Sequence, residues 1–396
     1  MFRNLGNNAR SSAPLPPGAR VERRGFFRNF FNSIAGMFIG LFLVFGMCWL
    51  LFWNEVRPNP ADAARMATEL TSANAPRLQE QAVWVRGALS GAAVDLDEFL
   101  APGLDREFIF LSRSVERWVW VEEEIRTERN RVGGGTETII TYEYHLRWSA
   151  TTPNSALFRG HNPPLNPPER PGFTGFTRVT DDLSIAGFNL TGRHLSFAGA
   201  QRHFVPTAAT IADGLFFSGN HLFEYQRAIN APEVGDYRIS YLYVENNTNG
   251  IVLGMLAGNA VMPLTFQSTG LIRTTSTIYR FFDLPTIGQV IVLLDEEHRM
   301  MTWMLRFLGF FLMMTGFTML FGPIQAIAGI IPFIKKVTGF IIGIVVIVLS
   351  LVLSLLVIMV ANILNSVIAL LVVLALVGGL IGYGFHRRRR AAAAAA

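Results

Sequence analysis

IAGMFIGLFLVFGMCWLLFW, Ile34 to Trp53, runs 20 residues without a charged side chain. A helix of that length covers about 30 Å, the hydrocarbon thickness of a bilayer. A secretory signal peptide is the competing reading, but its apolar stretch is only about 7–15 residues long. An Ala-x-Ala pattern at Ala61 to Ala63 lies well past the run, so an uncleaved anchor is expected.

Three more apolar runs crowd the C-terminal third: Trp303 to Phe321, interrupted by Arg306, then Thr338 to Val360 and Ile363 to Phe385. Only Ala361 and Asn362 separate the last two, which reads as a tight helical hairpin. Between the first two, Pro323 and Pro332 bracket an apolar segment too short to cross, so residues 322–337 are expected to be interfacial or re-entrant. The fold class expected is an α+β membrane protein with four transmembrane helices, one N-terminal and three C-terminal. A large β-rich extracytoplasmic domain, residues 54–300, lies between the first and second.

Composition divides the 396-residue chain in the same way. No Asp or Glu follows Met301, whereas Asn54 to Met300 carries 28 acids and 21 arginines, a net charge of −7. An acidic folded segment argues against nucleic acid as a partner. The lone cysteine, Cys48, allows neither an internal disulfide nor a cysteine-based metal site. Arginine outnumbers lysine 32 to 2, which points to a GC-rich, bacterial gene.

Sidedness follows from Lys and Arg near the span ends. One side collects Arg3, Arg10, Arg20, Arg23, Arg24, Arg28, Lys335, Lys336, Arg387, Arg388, Arg389 and Arg390; the other has Arg57, Arg65 and Arg299. That asymmetry predicts cytoplasmic termini (1–33 and 386–396). The middle domain would then face the periplasm from the inner membrane of a bacterium, or a lumen in a eukaryote.

Within that domain, Asn59-Pro60-Ala61-Asp62 opens a helix expected to reach about Ser72, with Asn as cap, Pro in the first turn and an acid near the positive end. Gln81–Gly87 and Phe108–Leu111 read as strands. The clearest element is a hairpin of Ser114–Ile125 against Thr136–Trp148 through Gly133, Gly134 and Gly135. Its aromatic face, with Trp118 and Trp120, reads as core or as a docking surface. The stretch from His161 to Pro171 is Pro-rich and reads as loop. Strands are also expected at Glu233–Glu245, Gly250–Leu256 and Gly288–Leu294.

No catalytic pattern emerges. None of the seven histidines lies in an HExxH, and neither a GxSxG nor a P-loop occurs. The runs Glu122–Glu124 and Asp295–Glu297 read as solvated flanks. No enzyme activity, metal or cofactor is expected.

Arg306 is out of place in an apolar span, where a charge costs about 2.5–3.5 kcal/mol at mid-bilayer. Glu55, at the end of the first span, lies at comparable depth, so an ion pair between them is expected to clamp the first span to the C-terminal bundle; snorkelling of Arg306 to headgroups is the alternative. Gly36 and Gly40 form a small-xxx-small face suited to helix packing. Ser350, Ser354, Asn362, Asn365 and Ser366 offer hydrogen bonds between helices.

Dispersed blocks along the chain resemble the transmembrane protein 43 family, also called LUMA. They are Gly36-Met37-Phe38-Ile39-Gly40, Trp53-Asn54-Glu55, Val115-Glu116, Trp120-Val121-Glu122, Arg147-Trp148, Gly160-His161-Asn162-Pro163, Pro232-Glu233-Val234-Gly235-Asp236 and Thr302-Trp303-Met304-Leu305-Arg306. The Arg387–Arg390 tail and the six alanines after it depart from the family. The resemblance implies one span, a large lumenal domain, three spans, and a role in organising membrane protein complexes. Animal members look like endoplasmic reticulum and inner nuclear membrane proteins that associate with emerin and lamins, partners a bacterium does not have. The expectation is a multi-pass scaffold working through its extracytoplasmic domain, in contact with lipid, other membrane proteins or a second copy. The alternative is an ion channel or transport component built from oligomerised spans.

Overall fold

Thr248–Ala257 is buried on both faces through most of its length, and the fold is arranged around it. It pairs antiparallel with Ala82–Gly91 on one side and with Ala260–Met262 on the other. From there the ladder continues through Phe188–Thr191 and Asp182–Ile185 back to Ala82–Gly91, closing a five-stranded ring. Val83, Val85, Leu89, Val252, Leu256 and Val261 fill one core cluster. Ile251 and Leu253, pointing the other way as strand alternation requires, join a second cluster with the helices. Gly254 permits the closure, because a Cβ there would lie 2.5 Å from Val261 and 2.6 Å from the Met262 carbonyl.

The computed structural model describes residues 17–102, 104–130, 135–268, 270–328 and 332–366, with Leu371 and Ala375. Five helices are described: α1 (Phe26–Val56), α2 (Pro60–Met66), α3 (Ile287–Leu320), α4 (Gly322–Ala328) and α5 (Pro332–Asn365). Three helical stretches are long and apolar enough to cross a membrane, lying in α1, α3 and α5. The expected fourth span, 363–385, falls almost wholly outside the described residues. Its expected start needs correcting, since α5 runs unbroken through Ala361 and Asn362 to Asn365. The Asn362 side chain donates to the Ile358 carbonyl one turn back, so these residues continue the helix rather than turn it. Between α3 and α5, the segment expected to be interfacial or re-entrant holds the short α4, and from Pro332 onward it already belongs to α5.

Two further expectations are overturned. Gly288–Leu294 is helix, not strand: the Thr286 side chain caps α3 by accepting from Gln289 N, and Val290 and Leu294 pack with the alanines of α2. β-branched residues signal strand only until a cap and an i, i+4 apolar pair favour helix. The helix opened by Asn59 stops at Met66, after which Thr68–Glu69 joins the sheet.

A second, eight-stranded sheet carries the hairpin. Its arms, Phe108–Asn130 and Thr136–Ser149, exceed the expected lengths and pair over 14 residue pairs. The long arm also pairs with Tyr237–Glu245, followed outward by His221–Phe223 and Phe216–Ser218. At the ribbon's base the fully buried face carries Arg117 and Val119, while Trp118 is half-buried on the other face with Trp148, ring centroids 5.3 Å apart. Where Tyr237 runs out as a partner, Trp118 N donates to the Asp236 carbonyl. Two residues on, Asn166 of the Pro-rich loop bonds both the N–H and the carbonyl of Trp120, at 2.8 and 2.9 Å. The loop thus covers a sheet edge that would otherwise be open to pairing.

The far edge of this sheet corrects the topology. Arg20–Arg24 forms a strand antiparallel to Thr136–Ile140, with Arg23 bonded to Glu137 at 2.9 Å. The expectation placed a bilayer between the N-terminal segment and the domain. Hydrogen-bonded neighbours occupy one compartment, so that separation does not hold for Arg20–Arg24 and the hairpin tip. The ribbon has the reach for this: 23 residues extend about 75 Å, against about 46 Å for the 31 residues of α1.

Candidate functional site

The WNE end of α1 meets α3 where the apolar helices join the domain. The Glu55 side chain is 3% exposed, and Arg306 reaches it with two hydrogen bonds, Nε to Oε1 at 2.8 Å and Nη2 to Oε2 at 2.7 Å. This bidentate geometry is the strong form of the guanidinium–carboxylate contact. The guanidinium also lies over the Trp303 ring, 4.8 Å from its centroid. Asn362 of α5 donates to Glu55 Oε2 at 3.3 Å, so one carboxylate gathers all three long helices.

Asn54, 1% exposed, donates to the Thr302 carbonyl at 3.1 Å and approaches Glu55 Oε1 at 3.5 Å. Both neighbours are acceptors, which fixes the orientation of its amide and leaves Asn54 Oδ1 buried without a partner among the described residues. Asn59, the α2 cap, accepts from Ala61 N and donates to Asp295 Oδ1 at 2.6 Å. Arg65 holds Asp62 and the second oxygen of Asp295, at 2.6 and 2.8 Å. Together these contacts fasten α2 to α3 and leave between α1 and α3 a polar cleft of about 310 Å³.

Deeper along the bundle, α1 and α3 pack antiparallel on small residues. A Cβ at Gly40 would fall 2.5 Å from the Gly316 carbonyl, and one at Gly309 would fall 2.7 Å from Leu51. Gly36, the expected partner of Gly40 in that face, meets nothing within 4 Å. The small-residue contact is therefore Gly40 with Gly316, while Gly309 makes room for Leu51, and Gly36 takes no part in it. Ser354 donates to the Met313 sulfur at 3.6 Å, and the buried Ser350 hydroxyl has no partner among the described residues. Asn365 lies against the loop at Gly270. Of the residues expected to set sidedness, Arg23 and Arg24 lie in the N-terminal strand and Arg28 in the first turns of α1. Lys335 and Lys336 fall in α5, and Arg387–Arg390 lie outside the described residues.

A second polar centre, unforeseen from sequence, is buried in the domain. Arg113 donates to both oxygens of Asp97, at 2.9 and 3.0 Å, and to the carbonyls of Thr174 and Gly172. Its guanidinium lies between the rings of Phe99 and Phe176. Tyr241 donates to Asp97, and burial followed by that bond pushes its phenol well above the ordinary range. Alternation in a strand would place Arg113 inward, but only the fold shows the acid 16 residues earlier that receives it. Among the described residues, no group of three or more His, Cys, Asp or Glu side chains is placed to hold a metal ion.

With the geometry in place, comparison with known proteins assigns a family. The family model for transmembrane protein 43 matches residues 118–366. Transmembrane protein 43 of Mus musculus is 24% identical over 326 residues, covering 75% of this chain and 76% of its own length. That of Rattus norvegicus is 24% identical over 321 residues with the same coverage. No solved structure matches the chain. The matched region takes in most of the ribbon, four of the five ring strands, α3 and Arg306, and the chain is a member of the transmembrane protein 43 family of membrane proteins.

Proposed function

We propose that this protein is a non-catalytic membrane scaffold whose β-rich domain binds partners while its helices hold that domain at the bilayer. The observation carrying this reading is the Glu55–Arg306–Asn362 cluster, which joins α1, α3 and α5 under the domain. Such a junction makes anchor and domain one mechanical unit, as a scaffold requires. The surface offered to partners is the outermost strand Phe216–Ser218, where Phe216 and Phe217 are 36% and 41% exposed on a sheet edge. Exposed apolar edges are ready templates for strand addition. Crosslinking in native membranes, with identification of captured proteins, tests it. A partner recovered with wild type and lost with Phe217→Asp supports the scaffold; equal capture with both variants overturns the assigned surface.

A second reading, a conducting oligomer, draws on the buried hydroxyls of Ser350 and Ser354 in α5. Ion flux into liposomes above that of empty vesicles, abolished by Ser350→Leu, would favour it over the scaffold.

A further inference from the structure

We propose that the loop joining Leu264–Gln267 to Thr275–Ile278 dips into the bilayer surface, with Leu271 among the lipid headgroups and Arg273 on their phosphates. The two strands form a small sheet apart from the two larger ones. Leu264, Phe266 and Ile278 anchor it in the core cluster shared with α2 and α3. The loop is held from within. Ser268 N donates to the Thr274 carbonyl at 2.9 Å, Thr274 N to Ser268 Oγ at 3.0 Å, and Ser268 Oγ to the Ile272 carbonyl at 2.8 Å.

Its tip is tied to the ends of two apolar helices. Thr274 Oγ1 donates to the carbonyl of Val56, the last residue of α1, at 2.6 Å. Leu271 N donates to the carbonyl of Asn365, the last residue of α5, at 3.4 Å. Both are carbonyls that a helix C-terminus leaves without an internal donor. These bonds fix the depth of the loop. Val56 lies three residues past Trp53, the end of the apolar run, which is about 4.5 Å along a helix. The interfacial band on each face of a bilayer is roughly 5–7 Å deep, so the loop falls within it. Trp53 and Trp303 are exposed at this same end, as residues of that band are. In water a single exposed leucine would call for no explanation. Here Leu271, 48% exposed, continues an apolar surface that Leu364 presents one residue before Asn365. Arg273 is exposed and, among the described residues, makes no ion pair. At this depth the anions within its reach are lipid phosphates, whose oxygens a guanidinium takes in pairs.

This inference goes beyond the scaffold reading and holds whatever the domain binds, since it needs only that α1 and α5 cross the bilayer. The test uses the full chain with Cys48→Ser and one new cysteine, Leu271→Cys, Val205→Cys or Phe42→Cys. Each is labelled with an environment-sensitive fluorophore and reconstituted in phosphatidylcholine vesicles. Val205, 67% exposed beside the eight-stranded sheet, is the aqueous control. Phe42, 77% exposed on α1, is the hydrocarbon control. All three positions are exposed, so the variants keep the fold. The vesicles carry a spin label either at the lipid headgroup or deep in the acyl chain, and its quenching of the fluorophore is read. Leu271→Cys is expected to be quenched several-fold more than Val205→Cys, and more by the headgroup label than by the chain label. Phe42→Cys should show the opposite order. Adding Arg273→Glu should bring the quenching of Leu271→Cys down toward that of Val205→Cys. Quenching of Leu271→Cys no greater than that of Val205→Cys overturns the proposal; if aqueous iodide is excluded there as well, protein covers the loop instead of lipid. Quenching indifferent to Arg273→Glu overturns the part assigned to Arg273. Partner capture is a separate readout, so failure here leaves the scaffold reading standing.

Discussion

Arg306 of α3 holds both carboxylate oxygens of Glu55 on α1, and an amide from α5 completes the set. Removing one member strands the other charge, at a cost of roughly 3–5 kcal/mol for a buried pair. Glu55→Gln and Arg306→Leu should therefore both lower the melting temperature in detergent sharply. The exchanged double variant, Glu55→Arg with Arg306→Glu, should recover part of the loss. Recovery is incomplete because Asn54 and Asn362 still offer N–H groups where a guanidinium would sit. If the exchange rescues nothing, the pair does not support the bundle.

Close approach of α1 and α3 makes a second, sharper contrast. Gly40→Leu drives a side chain into the Gly316 carbonyl and should cost about 1–3 kcal/mol or more, as overpacking does. Gly36→Leu, in open space, should melt with the wild type. Equal damage from both substitutions would remove the assigned contact face.

In the domain, Asp97→Asn leaves buried Arg113 with only the exposed Glu98, 3.7 Å away, as counter-charge and should destabilise by roughly 3–5 kcal/mol. Tyr241→Phe deletes one hydrogen bond to a charged group and should cost about 1.5–3 kcal/mol. Urea titration of the two variants gives the order, and Tyr241→Phe as the worse of the two would contradict the account.

His221 gives the domain a pH dependence of definite sign. Burial first, then Arg238 beside it and His203, hold its imidazole below the ordinary value, against an opposing pull from Glu116. A folded pKa below the unfolded one means that the unfolded chain binds the proton more tightly. The stability from neutral His221 is complete above about pH 6.5 and is lost as pH falls toward the folded value. Melting curves between pH 7.5 and 5 should fall more steeply for wild type than for His221→Gln. Superimposable pH profiles would refute the effect.

Register between the N-terminal strand and the ribbon is testable by covalent capture. Arg23 and Glu137 are direct cross-strand partners, and such pairs lie within reach of a disulfide. The double variant Arg23→Cys with Glu137→Cys should crosslink within one chain on mild oxidation in native membranes. Failure to crosslink there, with Cys48 replaced, would show that the strand pairing does not form.

Much of this was legible from residues alone. The hairpin arms declared themselves by aromatic and β-branched content, Asn59 by its capping position, and the Glu55–Arg306 contact by two charges at one depth in adjacent apolar runs. What stayed hidden depends on distant partners. Val290 and Leu294 become helical because α2 supplies a surface for them, and Val83 and Val252 face a closed ring that no local pattern announces. Arg20–Arg24 carries the charge of a solvated tail, yet becomes a strand because the hairpin offers it an open edge. Asn54 was visible only as a neighbour of Glu55, and its unmet acceptor appears once Thr302 has taken the other end of its amide.

That N-terminal strand sets a timetable for the chain's birth. Arg24 leaves the ribosome long before Thr136 exists, so the first strand must wait, still unpaired, on the side where its partner will later be made. Arg20–Arg24 therefore pairs only after the ribbon has been made, and closing this edge of the sheet is a late act of folding.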